Sequence, residues 1–470
     1  MKNLTRLLIL LLLFFNCTEE KKDFYDIVIK NGHSIDLLTG AIVKQTICLS
    51  DGRIQKIIPS EAIQNYDAKE IIDATDTFIL PGFWDNHVHF RGGDSLIAAN
   101  KNFLKLFMAN GITTVRDAGG DLTPSVIEWK KQIAQGMLIG PTIFTSGPKI
   151  DGPNPTWAGS LEVADEEAIS KALDSLQSIP TDFVKLYDSR ISGDLYLKTI
   201  EEAKKRGLIV SGHMPFTVEL NQTIHAGIDA IEHLYYIMKA CSIDEREITQ
   251  KLIAGEIGFW EAMPLLQKSY QDSTAQQTFQ SLKDNNVYVV PTLHIGETLS
   301  YLDEKDHTDD SYLHYMGQGI IKTYKGRINR AMNASEKATQ DRKELDTFFR
   351  QLAKALNDAN VQLLAGSDSG AYNSYTYPGI SLHKELEAMV ASGIPPLDAL
   401  RASAYNGAEF LKQDSDYGSI TVGKVSDLVL LRDNPLENIA HTQQIHVVVK
   451  GNKIYPAEKL QQLLNECIAD

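Results

Sequence analysis

Six side chains in this sequence have the types and spacing to do metal chemistry. His87 and His89 stand one residue apart in the run FWDNHVH, Phe83 to His89. On an extended strand, side chains at i and i+2 point to the same side, so both imidazoles can meet one divalent ion. His213 closes the run Ile209 to His213 and His233 closes Ala230 to His233. Asp368 closes the run from Gln362, and a carboxylate there can bind an ion and accept a proton from activated water. Lys185 lies in Asp182 to Tyr187, DFVKLY. A lysine on an inward-facing strand loses its charge readily, and a neutral amine can capture carbon dioxide as a carbamate with two donor oxygens. Taken singly, each residue has an ordinary reading: a packed histidine, a lysine reaching solvent, an aspartate capping a helix. Four histidines at the ends of three strands are not independent, and together they favour metal binding.

The elements that must position these residues alternate short apolar runs with amphipathic segments, the mark of a parallel sheet with crossover helices. Eight candidate strands centre on Trp84–His89, Thr113–Asp117, Thr142–Ser146, Phe183–Tyr187, Ile209–His213, Ala230–His233, Val287–Leu293 and Gln362–Asp368. Eight such units read as an α/β fold of the (β/α)8 TIM barrel type, whose chemistry sits at the C-terminal ends of the strands. Residues 234–286 and 294–360 exceed ordinary connections and follow barrel strands, so they are expected to cover the site. The flanks have a different texture of short alternating runs and Asn-Gly or Asp-Gly turns at Asn31-Gly32 and Asp51-Gly52. The expected organisation is a barrel over 81–414, a small β-sandwich built from both chain ends, 24–80 with 415–456, and a tail over 457–470.

The 470 residues are 43% hydrophobic and 23% charged, enough to bury a core without disulfides. A net charge of −15 argues against nucleic-acid binding, which wants a basic face. Cys17, Cys48, Cys241 and Cys467 form no C-x-x-C pair, which excludes a zinc ribbon or a dithiol redox motif. Lys2 and Arg6 precede an apolar run, Leu7 to Phe15, that is too short to span a bilayer. Cys17 and a polar stretch follow, so 1–16 resembles a bacterial lipoprotein signal with Cys17 as the lipidated residue. The expected location is outside the cytoplasm, periplasmic or held at the membrane by lipid on Cys17. A soluble exported enzyme and an uncleaved anchor remain alternatives.

The motifs PGFWDNHVH, TTVRDAGG, DFVKLY, SGHMP, AIEHL and LLAGSDSG, in this order, resemble those of the amidohydrolase superfamily. SLHKELEAMVASGIPPLDALRASAYNGAEFL and GSITVGKVSDLVLLRDNPLENI resemble its segments after strand eight. The resemblance runs from Tyr25 to Tyr455 and is nearest to the imidazolonepropionase-like and metal-dependent prolidase-like branch. It implies that His87 and His89 bind a buried metal, that His213 and His233 bind a more exposed one, and that Lys185 bridges both as a carbamate. It implies that Asp368 binds the buried metal and serves as general base and acid. The cofactors implied are two divalent ions, with zinc expected for imidazole and carboxylate donors, and carbon dioxide on Lys185.

The expected reaction is metal-dependent hydrolysis of a carbon–nitrogen bond by a metal-bridging hydroxide. A small molecule such as a dipeptide or an N-acyl amino acid is the expected substrate. Tyr187, Tyr235, His294 and Arg116 are candidate substrate contacts, the first three to hold a carbonyl oxygen and Arg116 a carboxylate. Residues 151–160 and 188–193 depart from the glycine-rich text of prolidase-like relatives. A mononuclear deaminase, or a hydrolase of imidazolone-type cyclic amides, is the alternative. A phosphotriester or lactone substrate would suit the same chemistry, and a non-catalytic binding lipoprotein is disfavoured by the complete ligand set. The expected partners are the small-molecule substrate and the membrane through Cys17, with homo-oligomerisation left open.

Overall fold

The computed structural model describes residues 23–59, 61–62 and 66–468. Cys17 and the leader lie outside them.

The central region is mixed α/β. Phe83–Val88 and Ile112–Asp117 are buried at every position, as strands covered on both faces must be. With Thr142–Thr145 they form a parallel three-stranded sheet. Val184–Leu186, Val210–Gly212, Ala230–Glu232 and Tyr288–Val290 lie side by side in a second, six-stranded parallel sheet. Two short strands, Ile150–Asp151 and Leu161–Glu162, complete its edge. Some helices start at side-chain caps. Asp165 accepts from the Ala168 N–H, Ser192 from Leu195 and Ser335 from Ala338.

The eighth expected strand departs from expectation. Residues 362–369 make no named strand; they meet their neighbours at isolated bridges, Leu363 to Val289 and Ser369 to Val88, and through scattered backbone hydrogen bonds. The local sequence explains this. A Cβ on Gly366 would lie 2.6 Å from His87 Cβ, and Asp368 takes a left-handed φ of 54°. The segment approaches the first strand closely and then turns away, which breaks a regular ladder.

Both chain ends meet in one eight-stranded sheet, joined where Phe78–Pro81 runs antiparallel to Leu428–Leu431. Asp51-Gly52, both left-handed, form the tight hairpin between Ile42–Ser50 and Arg53–Pro59. Ile27, Ile47, Leu430 and Val447, from both ends, share a core separate from the main one. Most of the expected tail is a helix, Ala457–Asn465, seated on Ile97–Ala109 through Leu460 and Leu463. Lys105 pairs with Glu466 at 3.2 Å beside it. Among the described residues, no helix is long and apolar enough to cross a membrane.

Candidate metal centre and cavity

The end of the first parallel strand delivers His87, and His89 follows directly after it. His87 Nε2 and His89 Nε2 lie 3.2 Å apart. Asp368 Oδ1 lies 3.1 Å from His89 Nε2 and 3.6 Å from His87 Nε2. Donor atoms of these three residues fall within 4.8 Å of one another, and all three are buried. His89 Nδ1 donates to the Gly119 carbonyl at 2.8 Å, which leaves Nε2 as a bare lone pair. Burial pushes both imidazoles well below the ordinary histidine range, so they stay neutral. Burial pushes the Asp368 carboxyl up, yet its pKa lies well below the usual carboxylate range, so it stays an anion beside these rings. Neutral nitrogen lone pairs and a carboxylate crowded into a dry pocket form a donor set that a divalent cation suits.

His213 and His233 form the second pair, with ring centres 4.8 Å apart and planes at 90°. Each ring is oriented through Nδ1. His213 Nδ1 donates to Asp188 Oδ1 at 3.1 Å, and the Tyr236 hydroxyl donates to the other oxygen of Asp188 at 2.8 Å. His233 Nδ1 donates to Thr292 Oγ1 at 2.7 Å, while the Thr292 hydroxyl donates to Pro291 O. Both Nε2 atoms are thereby left as lone pairs. Burial lowers His213 despite Asp188, and lowers His233 to about 3.

Beneath the histidines lies a charged floor. Lys185 Nζ, fully buried, pairs with Glu232 Oε2. Arg116 donates to Glu232 Oε1 at 3.0 Å, to Ser211 Oγ at 2.9 Å and to Asn86 O at 2.6 Å. Burial, with Arg116 and Lys149 nearby, drives Lys185 well below the ordinary lysine range.

Above the histidines opens a cavity of about 310 Å³. His89, His213, His233 and Asp368 reach its wall, while His87 and Lys185 lie deeper. Of the candidate substrate contacts, Tyr187 and Tyr235 line the cavity. Arg116 and His294 do not. Arg116 is fully buried with its donors committed to the floor, so it is placed to support rather than to bind substrate. His294 starts a helix, and its N–H donates to Glu385.

Several cavity residues carry little or no signal in the sequence. Arg91 sits with its guanidinium carbon 4.1 Å from the Trp157 ring centre and donates through Nε to Ala371 O. Burial lowers Arg91 to about 10, so it remains a cation near neutrality. Arg327, from the long connection after the seventh strand, donates to Asn373 Oδ1 at 2.8 Å. Asn373 in turn donates to Asp368 Oδ1 at 2.8 Å. Lys149 lies near the cavity, its Nζ 5.1 Å from the Trp157 ring centre and without a hydrogen-bond partner. Burial brings it down to about 7. Arg91 stands two residues past His89, a position from which a strand-end cation can face the site. For Arg327 the sequence carries no local signal. Both expected cover segments contribute walls, Tyr235, Phe259 and Trp260 from the first and Ile295, Leu299 and Phe349 from the second.

Residues 78–454 match the model of the amidohydrolase family. An adenine deaminase of Listeria monocytogenes serotype 4b (strain F2365) is 28% identical over 239 residues, covering 49% of this chain and 38% of the deaminase. The match therefore spans well under half of that relative's length. The ochratoxinase of Aspergillus niger is 22% identical over 436 residues, covering 80% of this chain and 75% of the relative. The crystal structure of a Xaa-Pro dipeptidase with bound methionine in the active site superposes with a TM-score of 0.67 at 19% identity. That superposition covers 92% of this chain and 99% of the other.

Proposed function

The chain belongs to the amidohydrolase family, and on that premise we propose that it hydrolyses the amide bond of a small carboxylate-bearing molecule, such as a dipeptide or an N-acyl amino acid. The observation that carries the proposal is the convergence of His87, His89 and Asp368 at the base of a cavity walled by Arg91 and Arg327. Metal-dependent carbon–nitrogen hydrolysis is the chemistry of the family and suits this donor set.

His87, His89 and Asp368 would hold one divalent ion, and His213 and His233 a second, with zinc the expected metal. Lys185, made neutral by burial, would join carbon dioxide to become a carbamate and bridge the two. When bound, the ions supply Lewis acidity that polarises a carbonyl and lowers the pKa of water. The side chains do the rest. Asp368 takes a proton from the attacking water and returns it to the leaving nitrogen. Asn373 orients Asp368 through Oδ1. Arg91, its guanidinium beside Trp157, binds the substrate carboxylate, and Arg327 adds a second cation. Tyr187 and Tyr235 close the sides and exclude water.

The same proposal extends to the scaffold. The two parallel sheets, bridged through Leu363 and Ser369, close as an eight-unit barrel over 81–414. The end-formed sheet folds into two layers, spanning 24–80 and 415–456, around Ile27, Ile47, Leu430 and Val447. Export with lipid on Cys17 completes the proposal, and a Cys17→Ser variant that stays in the membrane fraction would contradict it.

The test is hydrolysis of N-acyl amino acids and dipeptides by the metal-loaded chain. Amide cleavage should stop on chelation, return with zinc, and fall sharply in Asp368→Asn. Cleavage indifferent to chelation would contradict the proposal. A second reading, a deaminase or cyclic-amide hydrolase with one ion, draws on the pairing of Lys185 with Glu232 and on the tight convergence of three ligands, His87, His89 and Asp368. Release of ammonia from an aminopurine without amide cleavage would favour it.

A further inference from the structure

The cavity does not end at the metal centre. A second lobe of about 200 Å³ adjoins it and shares Tyr235, Trp260, Gly296, Leu299, Arg327 and Phe349 as common wall. Taken with that aromatic wall the lobe's lining is mostly apolar; beyond it Leu302, Ala331 and Leu345 face the lobe beside Ser300, Arg330, Arg342 and Asp346. Its polar groups are mostly engaged or at the mouth. Asp346 accepts from Arg350 at 3.1 Å, Arg330 is exposed, and Arg342 donates through NH2 to Thr339. Arg342 Nε alone has no partner there. The lobe is built almost wholly by the connection after the seventh parallel strand, through its helices Leu293–Ser300, Gln318–Met332 and Glu336–Asp358.

We propose that this second lobe is a subsite for the apolar half of the substrate, a linear chain of roughly five to eight carbons or a side chain of that bulk. The proposal rests on the amide-hydrolase reading and refines its substrate class. The two lobes differ in chemistry in a way that matches an amphipathic amide. The first holds the metal ligands and Arg91, which suit the scissile bond and the carboxylate. The second offers apolar walls and no unpaired carboxylate among the described residues, so a bound alkyl group gains from leaving water. Arg327 stands at the junction, where its charge faces the polar half. A short acetyl group would leave the second lobe unfilled.

The test reads binding rather than turnover. Calorimetry on the metal-loaded full chain would use acylglycine analogues in which a methylene replaces the amide N–H, with acyl groups from acetyl to decanoyl. Affinity should rise about fourfold per methylene until the lobe is full. Ala331→Trp, which fills the lobe, should abolish that rise yet leave the affinity for the acetyl analogue and the metal content unchanged. Leu302→Phe, a milder change, should shorten the optimal chain if Ala331→Trp does not fold. Affinity independent of chain length would overturn the proposal, as would a length dependence that survives a folded Ala331→Trp or Leu302→Phe. Chain-length-dependent binding with no amide cleavage would leave the subsite standing and contradict the hydrolase reading instead.

Discussion

Asp368 is tied to His87 twice. Its backbone N–H donates to the His87 carbonyl at 2.7 Å, and its Oδ1 lies 3.6 Å from His87 Nε2. One backbone hydrogen bond therefore sets the spacing of two proposed metal ligands that are 281 positions apart in the chain, residue 87 against residue 368. Asp368 adopts a left-handed backbone to make both contacts, with φ 54°.

That conformation determines how Asp368 should be tested. Asparagine tolerates the left-handed region, whereas alanine adds backbone strain. Asp368→Asn is expected to lower amide turnover by about 10²–10⁴-fold, the range for a lost general base, with a melting temperature within a few degrees of wild type. Asp368→Ala should lose as much activity and melt lower. Comparing the two melting curves checks the point, and equal melting of both variants would contradict the strain argument.

Gly366 predicts a loss of metal without any change in a ligand. A Cβ there would meet His87 Cβ at 2.6 Å and His87 N at 2.9 Å. Neither atom can retreat without moving the first parallel strand. Gly366→Ala should displace His87 and reduce bound metal, as measured by elemental analysis. Full metal content would show that the strand yields.

Thr292 orients His233 from outside the ligand set, accepting from Nδ1 at 2.7 Å. Thr292→Val keeps the shape and removes the acceptor. Loss of such a partner weakens metal binding by about 10–100-fold. Competition with a chelator of known affinity should show that drop in Thr292→Val, with little change in Thr292→Ser.

Glu385 predicts a pH dependence of stability. Burial raises its carboxyl from 4.5 to about 7, and it accepts from the N–H groups of Leu293 and His294. The folded state therefore holds this proton where the unfolded chain has released it. The stabilisation is fully present below about pH 4.5 and is lost as pH rises through about 7. At fixed metal content, the melting temperature of wild type relative to Glu385→Gln should fall between pH 5 and pH 8. A difference that is flat with pH would contradict the raised value.

Much of the candidate site is legible because histidines and carboxylates at strand ends leave local marks. His87 and His89 show the two-residue period, and His213, His233 and Asp368 each close an apolar run. Glu232 was missed for a physical reason. Strand alternation turns neighbours to opposite faces, so an inward His233 implies an outward Glu232. His233 instead takes a φ of 69°, and the kink lets both side chains reach the site. Arg116 was read as a substrate contact because its strand is legible, but the choice between cavity and floor depends on Ser211 and Glu232, distant in sequence. The sequence reads as a tail over 457–470, of which residues 457–465 form a helix. The pairing of Leu460 with Leu463 fits a helical face, but its partner helix Ile97–Ala109 lies at the far end of the chain.

The proposed function stands on a two-ion centre bridged by carboxylated Lys185. The most direct measurement is metal stoichiometry by elemental analysis of the chain from Thr18 onward, wild type against Lys185→Ala. About two ions per chain are expected, falling to one or none in the variant, the two-metal arrangement of such sites. One ion per chain, unchanged by Lys185→Ala, would contradict it and assign Lys185 to its pairing with Glu232 alone.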